Sequence, residues 1–337
     1  GAKLAKPGEF TERAFLNHKL DLSQAEAILD IIQARSGKAG ENAIKLYQGY
    51  LGSAIKEMRT KLLNLLGELT ACIDFPDEVA DYNIEQYQDQ IAKQIQKIEE
   101  LLAGEEEGHI LREGYKVAIV GNPNTGKSTL LNTLLKKERA IVTDIPGTTR
   151  DLIEESYSIK GLPLILLDTA AIRTSSDRVE QIGMERSQRA IEEADLVIYL
   201  NDLSQAQVPS DLKTLISSYN HISVGTKLDL VQPETQSSMD LCISSKTGTN
   251  IEDLKELIYS RILHGSNPNQ VKINHRQADL LRKAKAALEH SMNSTHLAID
   301  FWTIDLRAAI AALGEITGES LTEELLDNIF SRFCIGK

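Results

Sequence analysis

The sequence has few of the features that mark several large classes of protein. It contains three cysteines in 337 residues, widely separated and without C-x-x-C spacing, which argues against a structural zinc site and a disulfide framework. It has no run of about 20 apolar residues, the length that crosses a bilayer, and no signal peptide opens it. The sequence therefore predicts a soluble, cytoplasmic protein that does not insert into a membrane.

Basic residues are also scarce. The 37 lysines and arginines are outnumbered by 49 acidic residues, and the net charge is −12. Because phosphate contacts need lysine and arginine, an acidic surface is a poor nucleic-acid binder by itself. The length suffices for two domains with substantial cores.

A glycine-rich motif, G-x-x-x-x-G-K-S at residues 121–128, is the most informative feature present. It follows a β-branched apolar run at 115–120 and precedes a helix-forming run at 129–135, the context in which this motif cradles phosphate. Its backbone N–H groups point inward, the lysine adds charge, and the serine hydroxyl suits Mg²⁺. A plain glycine turn, the alternative, would not require Lys-Ser after it. The predicted phosphate-binding residues are Asn124, Thr125, Gly126, Lys127, Ser128 and Thr129.

The motifs that follow the glycine-rich loop have the same order along the chain as the motifs of GTPases. An apolar strand at 165–167 ends in Asp168, which we expect to hold the magnesium shell through water, and is followed by Thr169, Ala170 and Ala171. Between this strand and the glycine-rich loop, we expect Thr149 to reach Mg²⁺ and the γ-phosphate and so to order its loop when GTP is bound. An ordinary turn would be the preferred interpretation of that loop if the phosphate motif were absent.

The base-recognition motifs lie at the ends of later strands. A strand at 221–225 leads into Thr226-Lys227-Leu228-Asp229, which is similar to the N/T-K-x-D motif that specifies guanine. Asp229 can accept hydrogen bonds from guanine N1–H and the 2-amino group, which adenine cannot match, and Lys227 would lie along the base. The Ser244-Ser245-Lys246 segment resembles the loop that backs the guanine. Together these motifs favour GTP over ATP on a doubly wound sheet.

The segments on either side of these motifs are predicted to be helical. Apolar residues recur every three or four positions from Ile44 to Ile73, which predicts one long helix of about 45 Å. Ser23 and Glu26 form an S-x-x-E pattern typical of a capping box, and three more helices are predicted at 278–292, 301–315 and 321–333. Each arm alone would leave apolar surface exposed to water. We therefore expect an α/β plus all-α fold: a Ras-like P-loop GTPase domain with a doubly wound, mostly parallel sheet, inserted into a discontinuous helical bundle. The predicted joints are residues 104–108 and 264–269.

Several blocks of the sequence resemble signatures of the MnmE (TrmE) family of tRNA-modification GTPases. These blocks are residues 7–17, 74–78, 147–151 and the final Phe333-Cys334-Ile335-Gly336-Lys337. Most members also carry an N-terminal folate-binding and dimerising domain before the first block, so we expect that domain to be largely absent here. The resemblance implies a remnant of it at 1–18, a first helical part at 19–112, the GTPase domain at 113–266 and a second helical part at 267–337.

The resemblance further implies the activity and its cofactors. With an FAD-dependent partner of the MnmG (GidA) type, members of the family install an aminomethyl-type group on the wobble uridine (U34) of certain tRNAs. GTP hydrolysis to GDP is stimulated by K⁺ and occurs when two GTPase domains pair in a homodimer. By position, K⁺ would be held by Asn124, Thr143, Ile145 and Thr148, and the catalytic residues would be Thr149 and Glu180, which orients water. The nucleotide would also contact Asp144, Pro146 and Gly147. Without the family match, Glu180 would be read as a solvated helix carboxylate.

The folate-related expectations depend on the absent domain. Lys19 and Lys337 match positions near the family's folate pocket, and 5-formyl- or methylene-tetrahydrofolate is expected to bind only if the N-terminal domain is present. Cys334 matches a cysteine near that site and is either a reactive thiol or a small tail residue. Cys72 and Cys242 are predicted to be buried packing residues.

One departure from the family pattern concerns hydrolysis. Members of the family have Asp-Thr-Ala-Gly where this chain has Ala171 in the glycine position, and a Cβ restricts the backbone flip that glycine allows. We expect GTP to bind but the loop to close poorly. Two alternative functions follow from these residues: a ribosome-assembly GTPase with similar motifs, and a nucleotide-gated scaffold with impaired hydrolysis.

Overall fold

The computed structural model describes residues 3–75, 83–135, 155–167, 188–205, 211–231, 239–263, 270–294, 298–319 and 323–336. The chain divides into two compact units. One, the helical unit, comprises Gly1–Ala34, Ala39–His109 and Ser266–Lys337, and the other, the sheet unit, comprises Arg35–Lys38 and Ile110–Gly265. The domain boundaries expected from the sequence stay predictions.

Twelve helices have both ends within the described residues. They are α1 Glu9–Leu16, α2 Leu22–Gln33, α3 Gly37–Tyr47, α4 Tyr50–Asp74, α5 Ile84–Leu102, α6 Glu105–Glu113, α7 Lys127–Leu135, α8 Asp211–Ile216, α9 Ile251–Ile262, α10 His275–Asn293, α11 Ile299–Thr317 and α12 Glu323–Phe330. Among the described residues, none of the helices is long and apolar enough to cross a membrane.

The core of the helical unit is built from the apolar stripes that the sequence displays. Leu51, Ile55, Met58, Leu62, Leu65 and Leu69 of α4 are each at most 1% exposed, and they belong to one cluster with residues of α5, α10 and α11. Tyr87 stacks on Trp302 in this cluster with ring centroids 4.8 Å apart. The predicted helical bundle, drawn from both arms of the chain, is thereby confirmed.

The prediction of one long helix from Ile44 to Ile73 is wrong. The chain forms α3, ending at Tyr47, and α4, beginning at Tyr50, because Gly49 adopts φ +84° between them. Glycine takes this left-handed conformation without a steric penalty and commonly ends a helix there.

Two further local predictions are corrected. The capping box of α2 is made by Asp21 and Gln24, which exchange hydrogen bonds of 2.9 Å, whereas Ser23 lies inside the helix and donates to Asp21. The predicted joint at 104–108 is mostly helical, because α6 begins at Glu105. A Cβ on Gly108 would lie 2.2 Å from the Ile273 carbonyl oxygen, so this glycine permits close packing. The joint at 264–269 lies outside the described residues. Cys242 is buried as predicted, but Cys72 is only half-buried.

The sheet unit contains a six-stranded sheet of order β2-β3-β1-β4-β5-β6. Its strands are β1 Tyr115–Gly121, β2 Glu155–Ile159, β3 Leu162–Leu167, β4 Leu196–Asp202, β5 His221–Thr226 and β6 Leu241–Cys242. All neighbouring strands are parallel except β2 and β3, which form an antiparallel pair. Strand β2 was not predicted from the sequence. The order reverses around β1, and ligands of such sheets bind beyond the carboxyl ends of the strands at this reversal. The expected fold class is confirmed.

Candidate nucleotide-binding site

The loop after β1 has the backbone path that its glycines predict. A Cβ on Gly121 would lie 2.5 Å from the Leu200 carbonyl oxygen, so only glycine allows β1 to pass this close to β4. Asn124 and Gly126 adopt φ +62° and +90°, conformations that asparagine and glycine tolerate. The Thr125 hydroxyl donates to the Asn122 carbonyl at 2.8 Å and closes the turn.

Lys127 is the first residue of α7, and its side chain folds back over this loop. Its Nζ donates to the carbonyl oxygens of Gly121 and Asn122 at 2.6 and 2.7 Å. Burial lowers the pKa of the Lys127 ammonium below its usual value, because desolvation penalises the charged form. The ammonium and the N-terminus of α7 together place positive charge at the mouth of the loop, which suits a phosphate. Ser128 and Thr129 follow on the first turn and are exposed.

Thr226 joins this loop to the base-recognition motif. It ends β5, is 2% exposed, and donates from its hydroxyl to the Thr125 carbonyl at 2.8 Å. The same hydroxyl oxygen lies 3.2 Å from the Asn201 carbonyl oxygen on β4. The Thr226 hydroxyl therefore links the phosphate loop to the base-recognition motif, at the position where the N/T-K-x-D pattern has either asparagine or threonine.

Lys227 has a left-handed backbone, with φ +60°, and its ammonium reaches the end of β4. Nζ lies 2.6 Å from Oδ2 of Asp202, whose other carboxyl oxygen accepts from the backbone and hydroxyl of Ser204. Burial alone would raise the pKa of Asp202, but the hydrogen bonds from Lys227 and Ser204 outweigh it and hold that pKa below its usual value. Asp202 was not predicted from the sequence. The signal that could have found it is a carboxylate at the end of an apolar run, the same pattern that led to the prediction for residue 168.

Asp229 is fixed by the loop after β6. The Ser244 hydroxyl donates to its Oδ1 at 2.6 Å, and this hydrogen bond is the largest cause of the lowered pKa of Asp229. Thr247 N–H donates to the Ser244 hydroxyl at 3.2 Å, which fixes the serine in turn. The carboxylate is thus charged, oriented and exposed to a ligand. Ser245 accepts from Thr133 of α7 at 3.2 Å, and Lys246 is exposed.

The described residues therefore bring together the phosphate loop, Thr226, Lys227, Asp229 and the loop at Ser244 at one edge of the sheet. Cys334 and Lys19 belong to the helical unit and are exposed. The remaining predicted residues lie outside the described part of the chain: Thr143, Asp144, Ile145, Pro146, Gly147, Thr148, Thr149, Asp168, Thr169, Ala170, Ala171, Glu180 and Lys337.

The chain as a whole is similar to several known proteins. The family model described as the MnmE helical domain matches residues 22–334. A protein of Thermoanaerobacter sp. named tRNA modification GTPase MnmE is 43% identical, over all of this chain and 77% of its own length. A Cyanothece sp. protein of the same name is 44% identical, over all of this chain and 76% of its own. Among solved structures, the G domain of the T. maritima FeoB iron transporter is 28% identical and covers 44% of this chain and 99% of its own, but its TM-score of 0.31 carries no argument.

Proposed function

Because the chain belongs to the MnmE family and is a GTP hydrolase, we propose that it couples potassium-stimulated GTP hydrolysis to the modification of tRNA. The group added is of the aminomethyl type and the target is the wobble uridine. The curated relatives carry the name tRNA modification GTPase, which supports the general role. The cation, the target position and the transferred group are proposals that rest on the family resemblance.

The single observation that supports the proposal most is the hydrogen bond from Thr226 to the Thr125 carbonyl. It holds a phosphate loop and a guanine-type motif at one edge of one sheet, as a nucleoside polyphosphate requires. The Ser244 hydrogen bond lowers the pKa of Asp229 and so favours its charged form, which would accept from the guanine N1–H and 2-amino groups. Lys127 and the N-terminus of α7 would offset the charge that develops on the phosphates during hydrolysis.

The residues of the loop also fit the two proposed cations. Mg²⁺ and K⁺ prefer oxygen ligands, and the loop offers the Ser128 hydroxyl at the start of α7 and the Asn124 amide oxygen on an exposed turn. Bound cations would supply positive charge to the phosphate oxygens in the transition state. We propose Thr149 and Asp168 as further magnesium residues, Thr143, Ile145 and Thr148 as further potassium residues, and Glu180 as the residue that orients water. All six lie outside the described residues.

The net charge of −12 bears on the partners. A chain this acidic would release few counterions from tRNA, so we propose that an FAD-dependent partner supplies most of the tRNA affinity. In this scheme the chain acts as a homodimer whose GTPase domains pair during hydrolysis. Tight, salt-sensitive tRNA binding by this chain alone would contradict the division of roles.

The experiment that tests the proposal measures GTP turnover in K⁺ and in Na⁺ at equal ionic strength. Asn124→Gly is a sharper probe than an alanine variant, because glycine keeps the φ of +62° without strain while removing the amide oxygen. We expect K⁺ to stimulate the parent chain and not Asn124→Gly, with GDP affinity alike in both. Equal turnover in the two cations would remove the potassium role.

A second candidate, a scaffold with impaired hydrolysis, is favoured by Ala171. The test is Ala171→Gly, which restores the backbone freedom of the family pattern. We expect this variant to bind GDP as the parent does and to turn GTP over faster in K⁺. Equal turnover in the two proteins would remove Ala171 as a cause of slow hydrolysis.

A further inference from the structure

Asp202 is a buried carboxylate that none of the GTPase motifs includes. It is the last residue of β4, its side chain is 3% exposed, and its Oδ2 lies 2.6 Å from Lys227 Nζ. Burying a carboxylate is costly unless it is paired and hydrogen-bonded. The position therefore needs a reason beyond filling the end of a strand.

Both oxygens of this carboxylate are engaged, and by different elements. Oδ1 accepts from Ser204 N–H at 3.0 Å and from the Ser204 hydroxyl at 2.6 Å, while Oδ2 meets the lysine. The turn after β4 thus fixes the orientation of the carboxylate independently of Lys227. Asp202 is a rigid anchor for a cation that arrives from the next strand.

The pair is asymmetric in its exposure to solvent. Asp202 is enclosed, whereas the side chain of Lys227 keeps 32% of its exposure. Lys227 is held at both ends, since Thr226 fixes the preceding backbone and Asp202 fixes the ammonium. The methylene groups of Lys227 between these two ends are therefore held in place. They offer an apolar surface on which the plane of a base can pack.

A second carboxylate, that of Asp229, lies within the electrostatic reach of the same ammonium. The hydrogen bond from Ser244 is the main cause of the lowered pKa of Asp229, and the charges of Lys246 and Lys227 contribute less. If Lys227 turned to Asp229, it would cover the carboxylate that must accept from the base. Asp202 prevents this, because its buried carboxylate pairs with the Lys227 ammonium instead.

We propose that Asp202 is a positioning residue for guanine selection, which rests on the proposed function of the site as a guanine nucleotide site. Its carboxylate holds Lys227 along the base plane and keeps it away from Asp229. Asp229 then remains open to the N1–H and 2-amino groups that distinguish guanine.

The test compares the affinities of the full chain for GDP and IDP. Hypoxanthine, the base of IDP, lacks the 2-amino group from which Asp229 would accept a hydrogen bond. Asp202→Asn removes the charge but keeps an oxygen that can accept from Ser204. We expect a loss of about tenfold in GDP affinity, within the range of couplings in one hydrogen-bonded network, and a much smaller loss for IDP. The preference for GDP over IDP should therefore shrink, which general destabilisation of the site would not produce.

Ser204→Ala is the matched control, because it removes only the hydroxyl hydrogen bond to the carboxylate, while the backbone N–H of residue 204 still orients Oδ1 and the lysine keeps its partner. We expect its preference for GDP over IDP to equal that of the parent. A parent chain that fails to bind GDP would overturn the proposed function itself. A parent that binds GDP, with Asp202→Asn showing the same affinity and preference, would overturn only the role of Asp202.

A double variant keeps the test valid if Asp202→Asn does not fold. Lys227→Gln and Asp202→Asn together remove both charges and leave no lone buried ion. If Asp202 acts through Lys227, adding Asp202→Asn to Lys227→Gln leaves the GDP affinity unchanged. A further loss in the double variant would show that Asp202 acts by another route and would overturn the inference.

Discussion

The two units of the chain both bury charged groups, but they pair them in different ways. In the helical unit, Arg276 forks onto both carboxyl oxygens of Glu26 at 2.7 and 2.9 Å, and Asn274 and Gln277 donate to the same carboxylate. In the sheet unit, the partners of the Lys127 ammonium among the described residues are carbonyl oxygens of its own loop. The first arrangement is closed by side chains of opposite charge, whereas the second holds a cation with no counter-charge among those partners.

Burial and pairing alone do not separate structural polar groups from functional ones, because Asp202 and Lys227 of the sheet unit also form a pair of opposite charges; the place of the groups in the fold does. Lys272 and Glu107 form an ion pair of 2.6 Å whose side chains are 5% and 9% exposed. It lies within the helical unit and joins two opposite charges outside the sheet unit. Lys127, Asp202 and Asp229 instead gather at the carboxyl ends of parallel strands, where this fold binds ligands. The following predictions test whether the contrast holds.

The largest expected effect comes from Lys127→Ala. The ammonium would meet the phosphates of the nucleotide, and charge-assisted hydrogen bonds are worth about 1.5–3 kcal/mol each, so we expect GDP affinity to fall by about 100-fold or more. The midpoint of thermal unfolding should not fall, because Lys127 is partly desolvated and pairs with no carboxylate in the part of the chain that the structure describes, so its removal costs the fold little. Calorimetric titration and thermal unfolding measure the two quantities. Lys116→Ala, which removes an exposed lysine from β1, the strand that leads into the loop, is the control.

The converse prediction concerns Glu26→Gln in the helical unit. It leaves the Arg276 cation without its counter-charge, and breaking a buried pair costs about 3–5 kcal/mol. Because Arg276 keeps 20% exposure, we expect about 3 kcal/mol of lost unfolding free energy, with GDP affinity unchanged. Urea unfolding and nucleotide titration well below the transition measure these.

The matched control for Glu26→Gln is Arg282→Gln. Arg282 is 50% exposed and pairs with Asp279 at 3.0 Å and with Glu105, and because its guanidinium is half in solvent, its loss should cost less than about 1 kcal/mol. If Glu26→Gln weakened GDP binding as much as it lowered stability, the separation of structural from functional pairs would be wrong.

The parts of the molecule that the sequence predicted are those with local requirements. The phosphate loop could be predicted because its backbone needs glycine at fixed places, and Gly121 and Gly126 meet that need. The break at Gly49 was missed because the apolar spacing continues through it. Gly108 was mistaken for part of a joint because the carbonyl that it approaches, on Ile273, is far away in sequence. Asp202 was missed for the same reason, since its partner Lys227 lies 25 residues away.

A smaller effect is expected where the two motifs of the sheet unit join. Thr226→Val replaces the hydroxyl by a methyl group of similar size and leaves the Thr125 carbonyl without this donor. A hydrogen bond of this kind is worth about 1 kcal/mol, so we expect GDP affinity to fall by about fivefold. Thr226→Ser keeps the hydroxyl and should bind as the parent does. Equal affinity in all three proteins would mean that the contact does not couple the loop to the base motif.

The smallest effect is expected from acid, and it tests whether Asp229 is held in its charged form. The hydrogen bond from Ser244 lowers the pKa of Asp229, and a lowered pKa keeps a carboxylate ionised further into the acid range. The ratio of GDP to IDP affinity should therefore stay constant between about pH 7 and about pH 5. Phosphate protonation affects both nucleotides alike and cancels in this ratio. In Ser244→Ala the pKa of Asp229 rises towards its usual value of 3.8, so the ratio should begin to fall at a higher pH than in the parent, as the pH approaches about 4. A ratio that falls equally in both proteins would show that Ser244 does not set the charge of Asp229.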